Sequence, residues 1–131
     1  MSKVTDLGEL QLAILRVLWQ KKEASAADVH AALGGRRDIA ITTVSTILTR
    51  LERRGIVSHR TVGRTFVYRP TITEKAVRTS MLRTLVDSVF SRDPTAVVSQ
   101  LLASRDISPG DLDRMRELID ESRRQSRKKR G

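Results

Sequence analysis

Apolar positions recur along this chain with two different periods, and the change falls at Gly55. Before it the spacing is three and four. Leu10, Ile14, Val17 and Leu18 make one stripe, which predicts a helix over about 8–20 with Trp19 packing at its end. Lys21-Lys22-Glu23 is a polar break. Ser25-Ala26-Ala27-Asp28 has the form of a capping box, a hydroxyl followed three residues later by an acid, and it opens a short helix burying Val29 and Leu33. Gly34-Gly35 stops that helix and Arg36-Arg37-Asp38 forms a charged turn. A third stripe, Val44, Ile47, Leu48 and Leu51, then predicts a helix that Gly55 terminates.

After Gly55 the period is two. Ile56-Val57-Ser58-His59-Arg60 and Thr65-Phe66-Val67-Tyr68-Arg69 read as strands around Val62-Gly63-Arg64, a hairpin closed by glycine and ended by Pro70. Helical spacing then returns. Thr73 is placed to cap a helix with an apolar face of Val77, Met81, Leu82, Leu85, Val86, Val89 and Phe90. Asp93-Pro94 starts a second, burying Val97, Val98, Leu101 and Leu102, with proline in its first turn. Ser108-Pro109-Gly110-Asp111 caps a third, burying Leu112, Met115, Leu118 and Ile119. Three short helices of about 50 residues are marginal alone, so a partner copy is the economical way to cover them. The competing arrangement packs them on their own N-terminal half.

The third helix carries the candidate chemistry. Opposite its apolar stripe stand Thr42, Thr46, Thr49 and Arg53, flanked by Thr43 and Arg50, with no acid on that side. Arginine forks onto a guanine edge or a phosphate, and threonine offers a hydroxyl and a methyl to either target. Four β-branched residues are a poor choice for helix stability alone. On the helix by itself, a solvated face and an element pressed into a DNA groove fit equally. The elements around it favour the second reading. Two helices, a third amphipathic helix and a basic-tipped hairpin follow in the order of a winged helix-turn-helix, whose third helix enters the major groove. The expected fold is mainly α with a small β-hairpin wing: a DNA-binding domain over 1–71, a helical dimerisation domain over 72–121 and a basic tail over 122–131.

Charge is distributed to match. Residues 1–70 hold 12 basic and 6 acidic side chains, residues 71–121 hold 7 and 9, and residues 122–131 hold 6 and none. A polyanionic partner follows, nucleic acid before membrane. The tail is expected to lack structure, serving either solubility or non-specific attraction to DNA phosphates. With no cysteine there is no disulfide framework and no thiolate metal site. His30 and His59 each lack a second ligand at metal-binding spacing, so no metal or cofactor is expected. No nucleophile–base arrangement or glycine-rich phosphate loop is present, and an enzyme is not expected. The N-terminal stripe is amphipathic rather than a signal sequence, and no run approaches the ~20 apolar residues of a membrane span. The expected location is the cytoplasm.

From about Leu7 to Glu121 the chain resembles the penicillinase-repressor group of bacterial transcription regulators, the BlaI/MecI/CopY family. The residues that carry this are Leu7-Gly8-Glu9-Leu10 leading to Val17-Leu18-Trp19, and Thr42-Thr43-Val44-Ser45-Thr46 with Arg50-Leu51 and Gly55. Gly63-Arg64 with Tyr68-Arg69-Pro70, Asp106-Ile107-Ser108, and Leu112 through Ile119 complete the match. The resemblance implies a homodimeric repressor on a palindromic operator of the TACA/TGTA type. It places base contacts at Thr42, Thr43 and Thr46, and less firmly at Arg50, which could instead brace Glu52. The family often has an aromatic where Ile41 stands, which leaves the operator open. Phosphate contacts are expected from Thr49, Arg53, Arg54, Arg60 and Arg64, with Arg36 and Arg37 as weaker candidates. Dimerisation is expected through Leu82, Leu85, Val89, Phe90, Val98, Leu101, Leu102, Leu112, Met115 and Ile119.

Two departures from the family stand out. Copper-responsive members carry a cysteine-rich C-terminal motif that this chain lacks. In β-lactam-responsive members a regulatory protease cuts between Asn and Phe, and the matching pair here is Gln100-Leu101. A ligand-sensing winged helix and a winged helix used for protein interaction are the alternative readings. The second needs no basic, acid-free face on the third helix.

Overall fold

Capping residues and apolar stripes place the elements largely where the pattern puts them. The computed structural model describes residues 7–34 and 38–130. Along them run α1 (Glu9–Lys21), β1 (Ala24–Ser25), α2 (Ala26–Leu33), α3 (Ile41–Arg53), β2 (Val57–Val62), β3 (Thr65–Pro70), α4 (Glu74–Ser88), α5 (Pro94–Ala103) and α6 (Pro109–Arg130). The capping boxes form as read. Ser25 Oγ accepts from Asp28 N–H at 3.1 Å while Asp28 Oδ2 accepts from Ser25 N–H at 3.2 Å, and Ser108 and Asp111 repeat the exchange before α6. Thr73 Oγ1 accepts from Ala76 N–H at 3.1 Å, and Asp93 caps α5 with Pro94 in its first turn.

The chain divides into two units, Met1–Leu85 and Val86–Gly131, with the division inside α4. In the first, Ile14, Leu15 and Leu18 of α1, Val29 of α2, and Val44, Leu48 and Leu51 of α3 are fully buried. Val57 and Tyr68 of the sheet, with Ile56 just before β2, close this core. Val77 of α4 is buried in the same cluster, with Met81 packed against it. The first turns of α4 therefore pack with the winged helix, although their residues lie beyond 71. Trp19 is half-buried, and its Nε1–H donates to the Ile72 carbonyl at 2.9 Å, tying the end of α1 to the segment entering α4.

The sheet is antiparallel in the order β1-β3-β2. Its hairpin pairs Val57 with Pro70 through Val62 with Thr65, so both strands run further than the hydrophobic pattern suggests. Only Gly63 and Arg64 remain for the turn. Gly63 has φ +63°, the geometry that favours glycine at the first central position of a two-residue hairpin. The third strand was not expected. Ala24 and Ser25 pair with Tyr68 and Val67, and two residues are too few to show a period.

In the second unit no described side chain of α5 or α6 is buried. Val89 and Phe90, expected within the preceding helix, fall in the turn after α4. There Arg92 N–H reaches back to the Val86 carbonyl at 2.9 Å, with Ser91 and Arg92 at positive φ. Residues 122–130 also differ from expectation, because they continue α6 as helix. Charge alone argued for disorder. Arg, Lys and Gln are good helix formers, however, and cations in the last turns suit the negative end of the helix dipole.

Candidate nucleic-acid interface

Burial of Val44, Leu48 and Leu51, with Ile47 half-buried, fixes how α3 is rotated on the core. The opposite side then has to face solvent. Thr42, Thr43, Thr46, Thr49, Arg50 and Arg53 are all exposed. Two threonine hydroxyls are oriented by the helix itself: Thr46 Oγ1 donates to the Thr42 carbonyl and Thr49 Oγ1 to the Ser45 carbonyl, each at 2.9 Å. With the proton committed to the backbone, each hydroxyl presents its acceptor lone pairs and the adjacent methyl outward. Acceptors suit the amino groups of adenine or cytosine, and a methyl suits thymine.

The end of α3 is set by Gly55, at φ +79°. Gly55 N–H bonds the Glu52 carbonyl and Ile56 N–H the Leu51 carbonyl, both at 2.9 Å, a Schellman closure that turns the chain directly into β2. Arg54 sits half-buried at this cap and Arg53 is exposed one residue earlier. Glu52, the one acid of α3, is taken by the wing rather than by Arg50. His59 Nδ1–H donates to both carboxylate oxygens, at 2.8 and 2.6 Å. The His59 ring lies stacked on Phe66, 4.0 Å between centroids and 16° between planes, with Tyr68 tilted beside it.

The other histidine acts at the opposite end of the helix. His30 Nε2 lies 2.7 Å from the Ile39 carbonyl, which only accepts, so this nitrogen carries the proton and holds the segment entering α3. In the sequence the two histidines stand out only as candidate metal ligands, and neither positioning contact is legible there. No signal at the level of spacing identifies such contacts, because their partners lie on other elements.

Of the wing arginines, Arg64 is exposed in the turn. Arg60 is not a free cation: Nε and Nη2 hold the two Glu23 oxygens at 3.2 and 2.6 Å. That bond is the main reason the Glu23 carboxyl lies below its ordinary range, with Arg69 adding to the effect, and the Arg60 guanidinium is raised in turn. Arg36 and Arg37 lie outside the described residues.

An exposed Thr/Arg helix beside a basic hairpin, on a core of three helices and a small sheet, defines a DNA-binding protein of the winged-helix class. Comparison with known proteins gives the family. Residues 7–121 match the penicillinase repressor family, and the chain belongs to it. It is similar to the methicillin resistance regulatory protein MecI of Mammaliicoccus sciuri, with 20% identity over 118 residues, 90% of this chain and 96% of that protein. It is also similar to the transcriptional regulator BlaI of Mycobacterium tuberculosis, with 41% identity over 71 residues, 53% of this chain and 51% of that protein. Among solved structures, the DNA-binding domain of the repressor BlaI matches 56% of this chain and 90% of its own, at 30% identity and a TM-score of 0.50. The protein is therefore a transcriptional repressor of the BlaI/MecI type with a winged-helix DNA-binding domain, and not an enzyme.

Proposed function

We propose that two copies of this chain occupy a palindromic operator, each laying α3 in the major groove with its wing against the adjacent backbone or minor groove. Thr42, Thr43 and Thr46 read base edges, with Arg50 beside them. Thr49, Arg53, Arg54, Arg60 and Arg64 hold phosphates, joined by Arg36 and Arg37. The observation that carries this is the acid-free, exposed threonine and arginine face of α3, held outward by a fully buried opposite face. Arg60 reaches a phosphate by leaving Glu23, so its contribution is smaller than that of Arg64.

Residues 72–121 supply the dimer contact. Nine of the twelve exposed large apolar side chains among the described residues lie from Leu82 onward. They include Leu82 and Leu85 on α4, Val98, Leu101 and Leu102 on α5, and Leu112 and Ile119 on α6; Val89 follows α4, and Phe90 and Met115 are half-buried. So much apolar surface is unusual for a monomer and marks an interaction site. Among the described residues no helix is long and apolar enough to cross a membrane, and operator binding places the protein in the cytoplasm. Repression is lifted by a signal acting on the dimer or on its chain. Gln100 and Leu101 sit within α5, so a regulatory protease cutting there has to unwind that helix first.

Footprinting on the chain's own promoter region tests the reading, because it reports operator sequence and half-site spacing together. Thr46→Val should relax preference at one base pair by ~1–3 kcal/mol. Arg64→Ala should weaken all sequences alike and lower the salt slope by about 1 per protomer. Equal loss on operator and random duplex for Thr46→Val removes threonine from base reading.

A further inference from the structure

The long α6 is two helices in character. Its apolar residues Leu112, Met115, Leu118 and Ile119 all fall in the first half. From Asp120 to the end no apolar side chain occurs, and six cations follow: Arg123, Arg124, Arg127, Lys128, Lys129 and Arg130. Arg124 turns back on the helix, its Nη2 at 2.6 Å from Glu121 Oε2. Arg116, Arg123 and Arg127 are separated by seven and four residues and so share one side of the helix. Like charges four apart, as in Arg123 with Arg127 and Arg124 with Lys128, repel one another. The extension therefore gains most from a partner that lays anions along it.

The chemistry of that partner follows from what the extension lacks. A bilayer-binding helix needs an apolar face to insert, and this segment has none. A protein interface centres on aromatic side chains and arginines sealed from water, and this segment has arginines but no aromatic or aliphatic residue beside them to exclude water. What remains is a row of solvated point charges, whose binding is coulombic and rises with the charge density of the partner. Duplex DNA, with a phosphate charge every ~1.7 Å of axis, offers the most. We propose that residues 123–130 form a second, sequence-independent DNA-binding element, a helical arm that takes backbone phosphates outside the bases read by α3. The proposal rests on the operator-binding reading above.

Counterion release gives the size of the effect. Three or four phosphates neutralised between the two arms of a dimer add about 2.7–3.6 to the salt slope, at ~0.9 each. Over a fourfold change from 50 to 200 mM salt that is roughly 40- to 150-fold in affinity. The experiment compares the full chain with a chain ending at Ser122 and with the full-length variant R123Q/R127Q/K128Q/K129Q, which keeps helix-forming residues. Each is titrated against its footprinted operator and a random duplex of equal length from 50 to 200 mM salt, with sedimentation reporting the dimer. Both variants should stay dimeric and lose affinity for both duplexes in proportion, with the slope lower by about 3 and the operator-to-random ratio kept. An unchanged slope overturns the arm, as does a ratio that falls with it. Vesicles of phosphatidylserine binding the full chain as tightly as random duplex would reassign the arm to membranes. If the full chain shows no operator preference, the reading of α3 fails, and the slope on random duplex still decides the arm.

Discussion

The contact between α3 and the wing is open to a direct test at His59. Its Nδ1–H bonds both Glu52 oxygens, and the two side chains are 27% and 32% exposed. A hydrogen bond to a charged group contributes ~1.5–3 kcal/mol when shielded. Water reaches about a third of this one, and screening brings it to roughly 1 kcal/mol. The stack on Phe66 at 4.0 Å adds about 0.5–1.5 kcal/mol. His59→Ala should therefore destabilise the fold by about 2 kcal/mol. His59→Phe keeps a ring on Phe66 and should lose only about 1 kcal/mol. Urea unfolding followed by the fluorescence of Trp19, the sole tryptophan, measures both at one protein concentration, because the proposed dimerisation would couple to stability. Operator affinity should fall in the same order as the wing loses its register to α3. Two variants of equal cost would show that the stack contributes nothing. Two variants within ~0.3 kcal/mol of the parent would show that the helix and wing are not joined here at all.

Other substitutions probe different parts of the same structure. Leu48→Ala empties a fully buried site on the inner face of α3 and should cost about 2–5 kcal/mol in urea unfolding; a loss under 1 kcal/mol would mean that α3 is not rotated as described. Gly55→Ala places a side chain at φ +79° and should cost roughly 1–2 kcal/mol, visible as a lower urea midpoint. Glu23→Gln removes the charge that holds Arg60, so affinity for any duplex should rise and the salt slope should steepen by as much as ~0.9 per protomer; an unchanged slope would leave Arg60 without a phosphate. The Glu23, Asp93, Asp111 and Glu121 carboxyls are all lowered by hydrogen bonds to their ionised forms. A lowered folded pKa stabilises above the unfolded value and is lost as pH falls through the folded one. Stability should therefore decline on the acid side of the carboxylate range, and Asp111→Asn should make that decline shallower.

Much of this protein is local, and what is local was legible. The stripes at three and four placed α1 to α3, because burial of one face is most of what a short helix gains. The boxes at Ser25 and Ser108, the proline at 94 and the glycines at 55 and 63 act within a few residues of themselves, so their outcome is written in adjacent letters. The outward face of α3 followed at once, since a stripe buried on one side leaves only the other to face solvent. Tertiary structure decided everything that joins residues distant in the chain. Two-residue β1 exists only because β3 is beside it. Glu23 engages Arg60, and Glu52 engages His59, across separations no period encodes. The two histidines became the pins at either end of α3 for the same reason. At residues 122–130 composition argued for disorder, whereas helix propensity and the continuing backbone of α6 carried the helix on. Local geometry is set by a residue and its near neighbours, but a partner thirty positions away is chosen only when the chain has closed on itself.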